Sequence, residues 1–330
     1  MSDASSMLKR FVVTSDAVAH METRSFIWRS VLSQGYIHVW CAPANGGKST
    51  IARFAASELA EEGLDVFYLN EDAGYGELKE LQEHAAQSGY HLLNSSLTDS
   101  NTDEILAAME NLRSSNCDLS NCVFFIDTLK KFLDILDKRK SSRFMKLLRT
   151  LSVNGATIVL LHHTTKRPDL NGNKLFDGVG DLRNDADELH YLAMDELQGQ
   201  TVRTITITPD KRRSPAALTT FKYYPDSRHI EATDTPVDIL NEIQLRKLRE
   251  RDAAVIDEIN RRLLAGPCAI TDLAKQVSEV LGVNEKRVRE VVARWSSTGP
   301  GSSQSAWCEE RVQPNNKRMI SLPSQSSKLE

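Results

Sequence analysis

The sequence predicts an α/β fold with a mostly parallel sheet, followed by a small C-terminal winged helix-turn-helix domain. One observation is an aromatic and β-branched run at 36–41, which a glycine-containing loop separates from a helical apolar pattern at 51–60. Another is that two further apolar runs, 64–69 and 122–127, lead into acidic residues, as strands do at the ligand-binding edge of such sheets. Helical patterns separate these strands, over residues 76–89, 102–114 and 129–153.

The loop between the first predicted strand and helix has the sequence of a phosphate-binding loop. It runs Ala42-Pro43-Ala44-Asn45-Gly46-Gly47-Lys48-Ser49-Thr50, close to the pattern G-x-x-x-x-G-K-[ST]. Backbone N–H groups at the helix N-terminus attract the β- and γ-phosphates, and the glycines let the backbone approach them. Lys48 supplies a positive charge and Ser49 a hydroxyl ligand for Mg²⁺. We expect ATP and Mg²⁺ as cofactors, bound by Ala44, Asn45, Gly46, Gly47, Lys48, Ser49 and Thr50.

One position departs from this pattern, because Ala42 stands where the first glycine is usual. An alanine fits that position if its backbone φ angle is negative. The alternative interpretation is a Gly-Gly-Lys-Ser surface turn, and the flanking strand and helix favour the phosphate-binding loop.

The apolar run 122–127 has the Walker B pattern, a buried strand that ends in a carboxylate. Together with the loop it predicts that Asp127 holds Mg²⁺, through a water, opposite Ser49. The residue after Asp127 is Thr128 and not a glutamate. The acid that activates the attacking water is therefore expected elsewhere in the chain.

Glu71 is the candidate for that acid, because it follows the strand predicted at 64–69. A carboxylate there could orient and deprotonate the attacking water. The alternatives are a solvated loop acid, or a helix that begins with Asp72 as its cap.

The strand predicted at 157–161 ends in two histidines, His162 and His163. Adjacent residues on a strand point to opposite faces, which argues against a shared metal site. We expect a polar sensor of the γ-phosphate instead, with His163 preferred over His162.

Two basic segments follow. Residues 166–186 predict a mobile loop, and a long loop in a compact domain is usually functional or disordered. The turn at 210–215 is either a solvated turn or presents an arginine to a neighbouring subunit's ATP. Strands are predicted around this turn, at 189–194, 202–207 and 218–223.

Three further segments are predicted outside the ATPase domain (31–225) and the C-terminal domain. Residues 1–30 predict an N-terminal arm with one or two helices. Its apolar side chains could pack on the core or on a neighbouring subunit; they are Phe26, Ile27 and Trp28, with Val31 just after. Residues 226–250, with two prolines and a charged helix, predict a linker, and 324–330 a disordered tail.

Residues 251–323 predict three helices and a β-wing. The helices span about 253–265, 271–281 and 284–295, with caps at Thr271 and Asn284. The third helix of such a domain often contacts DNA, here through Lys286, Arg287 and Arg289. From residue 241 on, 15 Lys and Arg stand against 12 Asp and Glu, whereas the preceding residues have 26 against 33. The alternatives are a protein-binding domain and a solvated basic face.

The overall composition is that of an ordinary globular protein. The 330 residues are enough for about two domains, 40% are hydrophobic, and the net charge is -4. No apolar run approaches the ~18 residues of a membrane span, and no signal-like segment follows Met1. The five cysteines form no C-x-x-C pair. We therefore expect reduced thiols and a cytoplasmic location.

These residues together resemble the RecA-like ATPase core, and in particular the hexameric RepA-like replicative helicases of plasmids and phages. The run Ile126-Asp127-Thr128-Leu129-Lys130-Lys131-Phe132 is similar to that family's Asp-Thr-Leu-Arg-Arg-Phe. The run Leu160-Leu161-His162-His163-Thr164-Thr165-Lys166 is similar to its Leu-His-His-Ala-Ser-Lys. The resemblance covers roughly residues 30–225 and leaves out the C-terminal domain.

The resemblance implies further roles. Glu71 stands at the position where RecA-like enzymes have the catalytic glutamate. His163 stands at the position of their γ-phosphate sensor. Lys211 and Arg213 match the Lys-x-Arg that a hexameric helicase inserts into the next subunit's site, with Arg213 as the finger and Arg212 as the alternative. DNA-binding loops that face a central channel would include Lys166, Arg167, Lys174 and Arg183.

The resulting expectation is an ATP-hydrolysing, ring-forming helicase or translocase that acts on single-stranded DNA in replication. A homohexamer is expected, with a primase or an initiator as a further partner. The alternatives are a RecA-like recombination ATPase and an ATP-switched DNA-binding regulator that does not unwind DNA.

Overall fold

The computed structural model describes residues 7–18, 25–114, 117–132, 137–164, 180–195, 201–297, 306–313 and 316–323. The chain divides into two compact units, Met1–Leu240 and Asn241–Glu330. Within the described residues, no helix is both long enough and apolar enough to cross a membrane.

The amino-terminal half of the first unit alternates strands and helices after a short hairpin. A 3₁₀ turn (Lys9–Phe11) and helix α1 (Ser15–Val18) come first. The next elements are β1 (Phe26–Trp28), β2 (Leu32–Ser33), β3 (Ile37–Ala42), α2 (Lys48–Glu61), β4 (Asp65–Asn70), α3 (Tyr75–Ser88), β5 (His91–Leu93), a 3₁₀ turn (Ser95–Leu97) and α4 (Thr102–Ser114).

The second half of this unit continues the alternation and ends in antiparallel strands. Its elements are β6 (Cys122–Asp127), α5 (Leu129–Phe132), α6 (Lys138–Val153), β7 (Thr157–His163), α7 (Gly180–Asp185), β8 (Glu188–Met194), β9 (Arg203–Lys211), β10 (Thr219–Tyr224) and β11 (His229–Ala232).

In the described part of the chain, nine strands form one sheet in the order β11-β10-β9-β8-β3-β7-β6-β4-β5. The neighbours from β8 to β5 are parallel. Strands β9, β10 and β11 extend one edge with antiparallel pairs. The predicted α/β fold with a mostly parallel sheet is confirmed. In such sheets ligands bind beyond the carboxyl ends of the parallel strands.

Strand β3 lies in the centre of the sheet, and all of its residues are buried. Successive side chains of a strand point to opposite faces, so β3 contributes to two cores. Trp40 packs in one core with Ile51 of α2. Val39 packs in the other with Leu148 of α6. The phosphate-binding loop therefore leaves from the most buried strand of the fold.

The end of the N-terminal segment, residues 26–33, packs on the chain's own core, whereas Phe11 and Val13 are exposed. Trp28 stacks on Phe221, with ring centroids 5.6 Å apart, and its indole nitrogen donates to Glu58 at 2.7 Å. Residues 26–33 form the hairpin of β1 and β2, in which Arg29 adopts a positive φ of 47°. Helical structure in the described part of this segment comprises residues 7–8, the 3₁₀ turn and α1.

The second unit combines helices with a small sheet. Its elements are the greater part of α8 (Ile239–Leu263), then β12 (Cys268–Ala269), α9 (Ile270–Leu281), α10 (Glu285–Trp295), β13 (Cys308–Val312) and β14 (Lys317–Ser321). The strands pair antiparallel in the order β12-β14-β13. Three helices and a hairpin were the basis of the winged-helix prediction, and the winged helix stays a prediction.

One local prediction about this part of the chain needs correction. Asn284 does cap α10, since its side chain accepts from the Lys286 N–H at 2.8 Å. The cap of α9 is Ala269, and not Thr271, because β12 leads directly into the helix. The stretch 226–250, predicted as a linker, contains β11 and the first half of α8, which is 25 residues long.

Candidate nucleotide-binding site

The predicted nucleotide-binding residues meet at one edge of the sheet. Strands β3, β7, β6 and β4 are consecutive neighbours and run parallel, so their carboxyl ends lie side by side. In the register, Ala42 pairs with His163 and Asn70 pairs with Asp127. The fold thus brings the phosphate-binding loop and two of the predicted polar groups, His163 and Asp127, to one place.

The loop backbone explains why its two glycines are needed. Gly47 caps α2 with a φ of 83°, a left-handed conformation that strains other residues. A Cβ on Gly46 would lie 2.8 Å from the Cβ of Ala42, which is closer than real contacts allow. Ala42 itself lies in β3, outside the left-handed region. The departure from the usual first glycine is therefore tolerated, as predicted.

Lys48 is the first residue of α2 and is only 5% exposed. Its ammonium nitrogen lies 3.5 Å from Nδ1 of His163. Burial lowers the pKa of Lys48, and the negative charge of Asp127 offsets part of this effect. A bound triphosphate would supply the negative charge that this buried cation lacks.

His163 occupies the exposed end of β7 and faces Lys48. Burial lowers the pKa of His163, and the nearby Lys48 lowers it further. The imidazole is therefore neutral at pH 7 and offers one donor and one acceptor. His162 is buried, with 2% of its surface exposed, so the preference for His163 as the polar group at this edge agrees with the geometry.

Asp127 is 2% exposed, and one of its oxygens is held by two neutral donors. Oδ2 accepts from the Tyr68 hydroxyl at 2.8 Å and from the Asn70 side-chain amide at 3.4 Å. The carboxylate raises the pKa of Tyr68, in addition to the larger effect of burial. Carboxylate and hydroxyl oxygens are the ligands that Mg²⁺ prefers, so Asp127 and Ser49 fit this ion.

Glu71 follows β4, and both of its oxygens are held by Ser95. The Ser95 backbone N–H donates to Oε1 at 2.7 Å, and the Ser95 hydroxyl donates to Oε2 at 2.8 Å. Asn94 adds a hydrogen bond to the Asn70 carbonyl at 2.6 Å. The turn after β5 therefore fixes the orientation of Glu71, and no local pattern in the sequence indicates this role of Ser95.

Asp72 acts on the site through its charge. It pairs with Lys131 at 3.2 Å. Burial lowers the pKa of both Lys48 and His163, and the negative charge of Asp72 offsets a small part of this lowering. The idea that Asp72 caps a helix is wrong, because the cap of α3 is Gly74, which has no side chain to accept a hydrogen bond. The short loop before α3 thus leaves Asp72 beside the nucleotide-binding residues.

Lys211 and Arg213 lie at the opposite edge of the sheet. Lys211 pairs with Leu189 near the start of β8, which runs parallel to β3. Its ammonium group caps α7, with bonds of 2.6–3.0 Å to the carbonyls of Arg183, Asn184 and Ala186. Lys211 therefore lies toward the amino ends of the parallel strands, whereas the phosphate-binding loop follows their carboxyl ends.

The arginines of the same turn have partners within the chain. Arg213 donates to Asp187 at 2.6 Å, and Arg149 donates to the other Asp187 oxygen at 2.6 Å. The Arg213 side chain keeps 53% of its surface exposed. Arg212 donates to the carbonyl of Ala216 at 3.3 Å.

The predicted DNA-binding residues of the first unit are placed only in part. Lys166, Arg167 and Lys174 lie outside the described residues. Arg183 is on α7 and forms an ion pair with Asp210 at 2.6 Å, with 45% of its side chain exposed.

In the second unit the three basic residues of α10 differ. The Arg287 guanidinium is bonded to the fully buried Asp252 on α8, which makes it a structural contact between helices. Arg289 pairs with Glu285 at 2.7 Å on an exposed face, and Lys286 is exposed. Lys286 and Arg289 are therefore more accessible to a nucleic acid than Arg287.

Comparisons with known proteins give distant structural likenesses. No protein-family model and no curated protein matches the sequence. One solved structure, an ATPase domain, is 11% identical with a TM-score of 0.47, over 71% of this chain and 99% of that one. The flagellar accessory protein FlaH from Methanocaldococcus jannaschii is 11% identical with a TM-score of 0.43, over 62% and 92%. Likenesses this distant carry no argument about the function of this chain.

Proposed function

We propose that the chain is an ATP-driven, RecA-like motor that forms a ring and acts on single-stranded DNA. The observation that carries the proposal is the meeting of the phosphate-binding loop, Asp127 and His163 at the carboxyl edge of four adjacent parallel strands. The loop, Asp127 and His163 lie far apart in the sequence, and the fold brings them to the same edge.

In this proposal each group at this edge has its own role in ATP hydrolysis. Lys48 neutralises charge that develops on the γ-phosphoryl group, and His163 senses whether that group is present. Ser49 and Asp127 would hold Mg²⁺, which would withdraw negative charge from the bound triphosphate. Glu71, held by Ser95, orients the attacking water and accepts its proton.

Arg213 completes the site of a neighbouring subunit in this proposal. Its position toward the amino ends of the parallel strands supports action in a neighbouring site, and 53% of its side chain is exposed to a partner. Loss of an arginine finger lowers turnover by ~10³-fold or more. In a ring, ATP hydrolysis would thus depend on contact between subunits.

Subunit mixing tests this sharing directly. Lys48→Ala and Arg213→Ala chains should each be inactive alone. Mixed together they should regain a measurable fraction of wild-type ATP turnover, because some interfaces then combine an intact loop with an intact arginine. A mixture as inactive as its components would argue for action within one chain. Arg228→Ala is the matched control, since Arg228 is an exposed arginine that pairs with Glu80.

The DNA activity needs its own experiment. Wild-type protein should hydrolyse ATP faster with single-stranded DNA and should separate a forked duplex, whereas the Lys48→Ala form should do neither. Equal activity of the two forms would end the proposal.

Recruitment by the second unit to a primase or an initiator is tested by pull-down with residues 241–330 removed.

A nucleotide-controlled DNA-binding regulator is the second candidate. It is favoured by the fact that both catalytic candidates already have partners within the chain. Ser95 donates to both oxygens of Glu71, and Arg213 donates to Asp187, so neither is free to act on ATP without a rearrangement. Slow hydrolysis without strand separation, combined with ATP-dependent binding to duplex DNA, would support this candidate over the motor.

A further inference from the structure

Three buried ionisable side chains lie together away from the nucleotide-binding edge. His38 is on β3, and Glu188 and His190 are on the adjacent strand β8. In the register His38 pairs with Glu188, and Trp40 pairs with His190. Residues two apart on a strand share a face, so all three side chains point to the face of Trp40. Each is 0% exposed.

The distances between their polar atoms are short. His38 Nδ1 lies 3.4 Å from Glu188 Oε2, and His190 Nε2 lies 3.7 Å from the same oxygen. One nitrogen or oxygen of each residue falls within 4.8 Å of the others. Ligands about 2.0–2.1 Å from a tetrahedral ion are about 3.3 Å apart. The cluster is thus slightly wider than a filled tetrahedral site.

Most of these atoms have no hydrogen-bond partner. His38 Nδ1, Glu188 Oε2 and both ring nitrogens of His190 are buried without one. Leaving buried polar groups unsatisfied is unfavourable, and native proteins rarely do so. Four such atoms in one place indicate that something binds among them.

The remaining atoms of the cluster are already oriented. His38 Nε2 donates to the Ser33 carbonyl at 3.1 Å, which leaves the Nδ1 lone pair facing the carboxylate. The Ser214 backbone N–H donates to Glu188 Oε1 at 3.0 Å, which leaves Oε2 for another partner. Metal-binding histidines and carboxylates are typically fixed by such outer contacts. A proton shared by His38 and Glu188 would still leave both nitrogens of His190 unpaired.

We propose that His38, Glu188 and His190 form a buried site for a divalent transition-metal ion, with Zn²⁺ as the first candidate. Two imidazoles and one carboxylate are a donor set that suits Zn²⁺. The Ser214 hydroxyl is a candidate for a fourth ligand, because its oxygen is buried without a hydrogen-bond partner and the Ser214 backbone N–H already contacts Glu188. Full burial makes the site structural, because a catalytic zinc keeps a position open to substrate.

The ion would join β3 to the start of β8. Strand β8 follows Asp187, which accepts from Arg213, Arg149 and the Ile37 backbone N–H. The site is separate from the Mg²⁺ ligands at the other end of the strands, and the inference does not depend on the ATPase proposal.

The test measures metal in the full-length protein after any tag is removed and loosely bound ions are dialysed away. We expect about one zinc ion per chain by mass spectrometry of the digested protein. His190→Ala should lower the affinity at least about tenfold. His229→Ala should keep the full metal content, because His229 is an exposed histidine on the same sheet. Equal metal in the wild type and in His190→Ala would overturn the proposal.

A second measurement keeps the test valid if His190→Ala does not fold. Co²⁺ exchanged into the wild-type protein should give the visible absorption of a tetrahedral nitrogen and oxygen site, and a chelator should lower its Tm. Thiolate absorption would assign the ion to the cysteines and overturn the proposal. A protein without zinc, whose Tm is unchanged by added Zn²⁺ or Co²⁺, would show that the cluster is a protonated network instead.

Discussion

Two buried aspartates of this protein have opposite surroundings. Asp252 in the second unit is 0% exposed, and two guanidinium groups, of Arg287 and Arg294, are bonded to it together with the Trp295 indole at 3.0 Å. Asp127 at the nucleotide-binding edge is 2% exposed, and its hydrogen bonds come from neutral groups, with a buried Lys48 nearby. The first charge is neutralised within the chain and holds helices together. The second depends on a ligand to complete its surroundings, as expected of a binding site.

The largest effect should follow removal of the neutralised aspartate. Asp252→Ala removes a fully buried carboxylate and leaves two partly exposed guanidinium groups without their partner. Breaking a buried pair typically costs about 3–5 kcal/mol. Urea unfolding followed by tryptophan fluorescence should show this loss in the transition of the second unit, because Trp295 lies beside Asp252.

The matched control is Glu285→Ala, which breaks an exposed pair with Arg289 in the same helix. Exposed pairs contribute about 0–1 kcal/mol, so this variant should unfold almost like the wild type. Equal losses in the two variants would mean that Asp252 is not the structural centre of the unit.

For Asp127→Asn we expect a loss of ATP turnover without a loss of stability. An amide keeps the shape and can still accept from Tyr68, so the free energy of unfolding should not fall. ATP turnover should fall about 10²–10³-fold, as it does when one preorganised electrostatic group is removed. Turnover measured against Mg²⁺ concentration checks this, and a variant that is destabilised yet fully active would reverse our assignment of the two aspartates.

Tyr68→Phe should lower ATP turnover less than Asp127→Asn does, but, unlike that variant, it should also destabilise the fold. The substitution removes the hydroxyl that donates to Asp127 at 2.8 Å, and a hydrogen bond to a charged group contributes about 1.5–3 kcal/mol. Thermal unfolding should show a loss at the low end of this range. The Mg²⁺ concentration needed for half-maximal turnover should rise, and no change in either quantity would mean that Tyr68 does not orient the carboxylate.

The smallest effect concerns pH. Burial and Lys48 lower the pKa of His163 below its ordinary value of 6.5, so the unfolded chain binds a proton more readily than the folded chain. Stability should therefore fall as the pH drops through 6.5, and His163→Gln should reduce this dependence. An unchanged pH dependence of unfolding in His163→Gln would show that the histidine is not perturbed.

The nucleotide-binding edge was largely predictable from the sequence because its signals are local. The loop lies between one strand and one helix, and Asp127 and His163 are each the last residue of an apolar run. Parallel strands then place these ends on the same edge without further information.

The contacts that orient those groups were not predictable. Tyr68 and Asp127 are 59 residues apart, and Ser95 and Glu71 are 24 apart. Such pairs depend on the order of strands in the sheet, which local patterns do not contain. The cluster of His38, Glu188 and His190 could not be predicted for the same reason. Its members come together only because β8 lies beside β3.

The segment before β3 was predicted wrongly, because its turn does not follow the usual sequence rules. The hairpin at 26–33 turns at Arg29, which adopts a positive φ that sequence rules reserve for glycine and asparagine. Its guanidinium compensates by pairing with Glu58 at 2.5 Å and by lying 5.7 Å from the ring centroid of Trp28. Residues 226–250 were predicted as a linker that contains a charged helix, and the charged residues before Asp252 do lie in the helix α8.

The central claim is that the carboxyl edge of β3, β4, β6 and β7 binds ATP with Mg²⁺. The most direct measurement is calorimetric titration of a non-hydrolysable ATP analogue into wild-type and Lys48→Ala protein, with and without Mg²⁺. We predict binding that is strengthened by Mg²⁺ in the wild type and lost in Lys48→Ala, whose unfolding free energy should not decrease, because Lys48 is a buried cation with a lowered pKa. Equal binding by the two proteins, or no binding by either, would contradict this account.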